Sequence, residues 1–145
     1  ENNIGVLVRG PLAQGILSGH YTRDTHFTDT IRTPFNEGGS AREVYLQKMD
    51  RLDRVIEAAG KDNLIQTSLR YILSHPVCPV VIPGAKSPAQ AKANAEAGSA
   101  CLDEALYAKL KACGANFTIL CPLSTGLSQW IYFPKKSFAL QKCLK

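Results

Sequence analysis

Two short segments of the chain combine residue types that can hold an anion. In Pro83-Gly84-Ala85-Lys86-Ser87, glycine lets backbone approach a ligand closely and lysine supplies a point charge. Serine then leads into a helix whose first N–H groups have no partner of their own. Phosphate is the anion such a loop suits. Taken alone the loop also fits a plainer reading, in which Gly84 is a turn residue, Ser87 a helix cap and Lys86 a solvated charge. The second segment, Gly10-Pro11-Leu12-Ala13-Gln14-Gly15-Ile16-Leu17-Ser18-Gly19-His20-Tyr21, opens a stretch to about Ser40 that is polar and rich in Gly, Thr and Asp. A loop of that length in a compact domain is usually functional or mobile.

Other reactive side chains carry less. His20 and Tyr21 lie on the first loop, and His26 and His75 fall in no catalytic pattern; general acids must converge on one pocket, so no catalytic residue is expected among them. The five cysteines, Cys78, Cys101, Cys113, Cys121 and Cys143, form no C-x-x-C pair and have no histidine at metal spacing. They are expected to be free thiols, with no metal site. Asn116-Phe117-Thr118 is a glycosylation sequon, unused in a cytoplasmic setting.

The elements that must position these loops are legible from periodicity and punctuation. Ile4-Gly5-Val6-Leu7-Val8 is an apolar run closed by Arg9-Gly10-Pro11, and Pro79-Val80-Val81-Ile82 is another, closed by Pro83-Gly84; both read as buried strands. Between them, Tyr45, Met49, Leu52, Ile56 and Ala59 share one face of a helix over 41–59 that Gly60 ends. Asn63-Leu64-Ile65-Gln66 matches a capping box opening a second helix with Ile65, Leu69 and Ile72 on its apolar face, stopped near Pro76. Ser87-Pro88-Ala89-Gln90 predicts a helix start, with an N-cap serine and proline at the first position; this helix runs to Ala97 or Gly98. A last helix begins at about Asp103, with Leu106 and Leu110 as its buried edge, and ends before Gly114.

Strands that alternate with helices and are apolar on both faces predict parallel connectivity and an α/β class. No G-x-G-x-x-G follows the first strand, which argues against a doubly wound dinucleotide fold. A (β/α)8 barrel fits better, although it needs eight strands and about 250 residues. Two strands cannot close it, so an incomplete barrel is expected.

The segment Gly10 to Tyr21, followed in order by Ile82-Pro83-Gly84-Ala85-Lys86-Ser87-Pro88-Ala89-Gln90 and Asn94, resembles the aldo/keto reductase family over about residues 4–113. The resemblance implies a (β/α)8 barrel, of which these segments look like the seventh and eighth strands with their loops and helices. It implies that Pro11, Leu12, Ala13, Gln14, Gly15 and Leu17 match the loop around the cofactor pyrophosphate, with main-chain N–H groups as donors. It also implies that Gly84, Ala85, Lys86 and Ser87 match the segment at the adenosine ribose and its 2′-phosphate, and that Gln90 and Asn94 match positions reaching the phosphate and adenine. Lys86 would then favour NADP(H) over NAD(H), because a cation beside the 2′-phosphate stabilises only the phosphorylated form. The implied activity is hydride transfer from the nicotinamide to an aldehyde or ketone, a small-molecule carbonyl substrate. Ala93 departs from the pattern, standing where many relatives carry glutamate. The family's Asp, Tyr, Lys and His tetrad has no match in this chain, so the chain should not reduce carbonyls alone.

Two rival readings remain: a non-catalytic nicotinamide-binding or regulatory protein on the same fold, and a partner- or membrane-surface-binding protein that uses its tail. Residues 1–113 carry thirteen Lys/Arg and twelve Asp/Glu, whereas Lys135, Lys136, Lys142 and Lys145 stand in a tail without acids. The net charge of +5 therefore implies no nucleic-acid groove on the main body. The tail, 114–145, is aromatic and basic and has no match to the family; Phe117 to Phe133 falls short of the roughly 20 apolar residues that span a membrane. No leader is read at Glu1, where the chain looks like an internal start, and a cytoplasmic location is expected. Uncovered strand edges predict self-association and poor solubility.

Overall fold

The computed structural model describes residues 4–113 and, as backbone, 130–134. The reading of 114–145 as an aromatic and basic tail, and the sequon at Asn116, fall outside the described residues apart from that short stretch. Strand β1 (Ile4–Arg9) is followed by helices α1 (Arg42–Ala59) and α2 (Leu64–Leu73), strand β2 (Val80–Ile82), helices α3 (Pro88–Glu96) and α4 (Glu104–Ala112), and strand β3 (Trp130–Pro134). Short 3-10 turns lie at Ala13–Ser18, Thr33–Phe35 and Ala97–Ser99. The strand and helix order through α4 is the one expected from sequence.

β1 and β2 pair in parallel, with Leu7 opposite Val80, Val8 opposite Val81 and Arg9 opposite Ile82. Parallel neighbours require a long crossover, which α1 and α2 supply. The other edge of β1 is taken by β3, antiparallel, from Ile4 opposite Pro134 to Val8 opposite Trp130. The sheet order is therefore β2-β1-β3, and among the described residues β1 has both edges paired while β2 keeps one unpaired.

The core does not lie on the sheet. Ile16 and Leu17 from the first 3-10 turn, Tyr45, Met49 and Leu52 from α1, Leu64 from α2 and Leu110 from α4 are all at most 3% exposed and form one cluster. On β1, Val8 is buried, but on β2 Val80 is 45% and Ile82 48% exposed. The expectation of two fully buried strands is corrected accordingly. An apolar run records what a strand could bury, and burial requires a second layer, which the described residues do not supply over β2.

Helix faces follow the periodicity with local adjustments. On α1 the buried set is Tyr45, Lys48, Met49, Leu52 and Val55; Ile56 and Ala59, expected on that face, sit partly buried at its margin. Lys48 has its Nζ 5.0 Å from the Phe35 ring centroid, so its stem fills apolar space while its charge meets an aromatic face. α3 starts as expected: the Ser87 Oγ accepts the Gln90 N–H at 3.2 Å and Pro88 occupies the first turn. Asp103 caps α4 in the same way, accepting the Leu106 N–H at 3.0 Å. The capping box at α2 does not form. Asn63 adopts the left-handed conformation (φ 55°) and makes no side-chain cap bond, while the Gln66 side chain that should reach back bonds α3 instead.

The long loop between β1 and α1 is a packed lobe. Phe27 makes edge-on contacts with Tyr21, Phe35 and Tyr45 at centroid distances of 5.1, 6.1 and 5.4 Å, and Phe35 stacks on Tyr45 at 5.4 Å. Asn36, 8% exposed, accepts the Phe27 N–H at 2.7 Å and donates to the Phe27 carbonyl at 2.8 Å. One side chain thus satisfies both main-chain groups of a buried residue. Arg32 lies 5.2 Å from the centroids of both Tyr21 and Phe27, donates to the Tyr21 hydroxyl, and pairs with Asp29 at 2.8 Å. The Tyr45 hydroxyl donates to the Thr22 carbonyl at 2.7 Å. Burial pushes the Tyr45 phenol above its ordinary range.

Candidate functional site

The first loop is shaped by five left-handed residues, three of them consecutive. Gly10 (φ 67°), Ala13 (φ 50°), Gln14 (φ 60°), Gly15 (φ 90°) and Gly19 (φ 72°) turn the chain back on itself. The Gly15 and Leu17 N–H groups both donate to the Leu12 carbonyl, at 2.9 and 3.2 Å. Positive φ at a residue with a Cβ costs on the order of 1 kcal/mol or more and is held only when the surroundings dictate it. Here Pro11, Ala13 and Leu17 are buried and Leu12 half-buried, so the side chains of this loop anchor it in the core. The Ala13, Gly15 and Leu17 N–H groups, expected as donors to a pyrophosphate, are engaged by carbonyls inside the loop, and of this loop's expected residues Gln14 alone has an exposed side chain. Gly15 cannot easily be replaced, because a Cβ there would lie 3.3 Å from Tyr21 Cε2 on a left-handed backbone.

The second loop is built the other way, with its side chains outward. Gly84, Ala85, Lys86 and Ser87 are all exposed, and two residues of α3 hold the turn from beneath. Gln90 Oε1 accepts the Lys86 N–H at 2.7 Å, and Asn94 Nδ2 donates to the Gly84 carbonyl at 3.2 Å. At Gly84 an added Cβ would meet nothing within 4 Å. The protein itself therefore gives no packing reason for glycine at this point.

An open cleft of about 1300 Å³ runs between the end of the first loop, the start of α2 and the exposed side of α3. Ser18, Gly19 and His20 form one wall, Lys61 to Thr67 with Arg70 another, and Gln90, Ala93 and Asn94 a third. Of the residues expected at a cofactor, Gln90 and Asn94 line this cleft. Pro11, Leu12, Ala13, Gln14, Gly15 and Leu17 do not, and neither do Gly84, Ala85, Lys86 and Ser87. Gln90 and Asn94 thus join the two features, touching the cleft while holding the Gly84–Lys86 main chain.

Sequence reasoning missed the wall formed by Lys61, Asn63, Gln66 and Arg70. A signal was present in the basic residues at the two ends of α2, Lys61 before its start and Arg70 in its last turn, but their meeting with α3 depends on tertiary packing. Among the described residues no group of three His, Cys, Asp or Glu could hold a metal ion, and no helix is long and apolar enough to cross a membrane. Cys78 and Cys113 are free thiols, whereas Cys101 is disulfide-bonded, which corrects the reading of every cysteine as free; spacing along the chain gave no sign of that pairing.

An α/β unit whose parallel pair β1–β2 is joined by a helical crossover, with polar turns at the C-termini of those strands, is the class that fold and site define. The sequence profile of the Aldo/keto reductase family matches residues 1–115, and the chain belongs to that family, whose fold is a (β/α)8 barrel. The aldo-keto reductase YhdN of Bacillus subtilis (strain 168) is 29% identical over 98 residues, which is 66% of this chain and 30% of YhdN. The chain thus spans about 30% of the length of the curated relative it matches. No solved structure matches it.

Proposed function

We propose that this chain is the cofactor-holding portion of an NADP(H)-dependent oxidoreductase that reduces aldehydes or ketones to alcohols. In this reading β1 and β2 are the seventh and eighth strands of the barrel, residues 1–113 are its C-terminal part, and 114–145 are an unmatched extension. The observation that carries it is the double engagement of Gln90 and Asn94: both line the cleft and both fix the main chain of the Gly84–Lys86 turn.

The residues present fit the cofactor. The space above Gly84 is open, with nothing within 4 Å of where a Cβ would stand, so a ribose phosphate could approach the backbone there closely. Lys86 is exposed beside it, and the N-terminus of α3 adds its dipole. The first loop is held in one conformation by buried Pro11, Ala13 and Leu17, which is what positioning a pyrophosphate requires. A reduced nicotinamide bound there would supply the hydride for carbonyl reduction. This chain's residues bind and orient; the sequence contains no match to the family's tetrad, so the chain alone is expected to be inactive.

The test is an NADPH titration of the purified chain by fluorescence, with NADH beside it and Lys86→Ala as control. Saturable binding that prefers NADPH and weakens on loss of Lys86 supports the reading. Absence of binding to either cofactor would remove it.

A further inference from the structure

α3 changes pitch at its end. The N–H of Ala97 turns to the Asn94 carbonyl, three residues back, and does not reach Ala93; the chain continues as the 3-10 turn Ala97–Ser99. The Ala93 carbonyl is thereby released from the α-helical ladder and needs another donor. The side-chain amide of Gln66 on α2 provides it. The amide must point this way, since its other orientation would set oxygen against the Ala93 carbonyl. The arrangement has a cost on the far side, because Gln66 Oε1 is left buried without a hydrogen-bond partner. It also takes Gln66 from the cap it could have formed at the start of its own helix, where Asn63 makes no side-chain cap bond.

We infer that Gln66 is a positioning residue for the cofactor site, a strut from α2 that sets the rotation and height of α3 and so places Gln90 and Asn94 between the cleft and the Gly84–Lys86 turn. Ala93 adjoins Asn94 and lies one helical turn from Gln90, so a bond at its carbonyl fixes the part of α3 that carries both. α2 grips the segment again further on, where Ser74 Oγ accepts the Leu102 N–H at 3.2 Å. Between these two ties α3 buries no residue of its own apart from the following Ala97. A helix with so little apolar anchorage depends on polar ties for its placement. The inference rests on the cofactor reading above and adds to it a residue of the cleft wall that acts through α3.

The test uses the whole chain with Gln66→Met, which keeps the volume and loses the donor, and Gln66→Glu, which sets an acceptor against the carbonyl. The probes are adenosine 2′,5′-bisphosphate and NADPH for binding, with amide hydrogen exchange across α3. Gln66→Met is expected to weaken adenosine 2′,5′-bisphosphate about tenfold, the factor one hydrogen bond commonly carries, and Gln66→Glu to weaken it more. Exchange across residues 91–97 should rise while α1 stays protected. In an Asn94→Ala background the effect of Gln66→Met should shrink to within about twofold, because a strut acting through Asn94 has less left to position. A full tenfold loss in that background, or unchanged exchange in α3, would overturn the strut. A wild-type chain that binds neither probe would overturn the cofactor reading and this inference with it, whereas wild-type binding that Gln66→Met leaves untouched overturns the strut alone.

Discussion

Gly84→Ala separates a turn glycine from a cofactor glycine. No atom lies within 4 Å of the added methyl, and the Gly84 φ lies outside the left-handed region, so the folded protein accepts alanine without strain. The carbonyl that accepts from Asn94 is retained. Replacing glycine at such a position restricts the unfolded chain and stabilises by about 0.4–1 kcal/mol. Melting should therefore stay level or rise slightly. Cofactor binding should respond in the opposite direction, because the methyl fills the space a ribose phosphate would enter. Overpacking of that kind costs about 1–3 kcal/mol, roughly a 5- to 150-fold rise in Kd. The assay is NADPH titration beside a thermal melt on the same preparations. Equal NADPH affinity in wild type and Gly84→Ala, with no loss of stability, would refute the placement of the cofactor over this turn.

Further outcomes follow from other parts of the structure. Lys86→Glu should weaken NADPH by on the order of tenfold and leave NADH nearly unchanged, since only NADPH carries the 2′-phosphate; parallel titrations decide it, and equal weakening refutes it. Asn36→Ala strips partners from both main-chain groups of Phe27, at about 1–3 kcal/mol for each group left unsatisfied, and should lower the melting temperature by roughly 10 °C. Asp29 is partly desolvated, which opposes ionisation, yet the hydrogen bonds and charge of Arg32 hold its pKa below the ordinary 3.8. The stability this pair contributes is therefore present above that value and is lost as pH falls below about 4; Arg32→Met should remove this acid sensitivity in pH-dependent melts. Truncation after Cys113 removes β3 and bares the edge of β1, so sedimentation should show more association than the full chain does.

Much of the fold was legible because it rests on local chemistry. Ser87 before Pro88 starts α3, Asp103 starts α4, and the four-and-three spacing of Tyr45, Met49 and Leu52 marks the buried face of α1. What local chemistry could not supply was competition from distant partners. Asn63 and Gln66 have the right types for a capping box, and the box fails because Gln66 has a released carbonyl to satisfy on α3. Val80 and Ile82 have the composition of buried strand residues but meet no covering layer among the described residues. The pairing of β3 with β1 had no signal either, since antiparallel addition to an edge is specified by main-chain groups that every sequence carries. For the site, the loops themselves were visible from residue types. The roles within them were less so: the side chains of Pro11, Ala13 and Leu17 proved to be anchors, and Gln90 and Asn94 proved to be braces of the turn as well as cleft residues.

The central claim is that the two loops act as one cofactor site, and amide chemical-shift mapping during an NADPH titration tests it most directly. The account predicts saturable shifts in both the Gln14–Gly19 and Gly84–Ser87 segments, together with the side-chain amides of Gln90 and Asn94, all following one binding curve. Binding that shifts other surfaces and leaves either loop silent would contradict it.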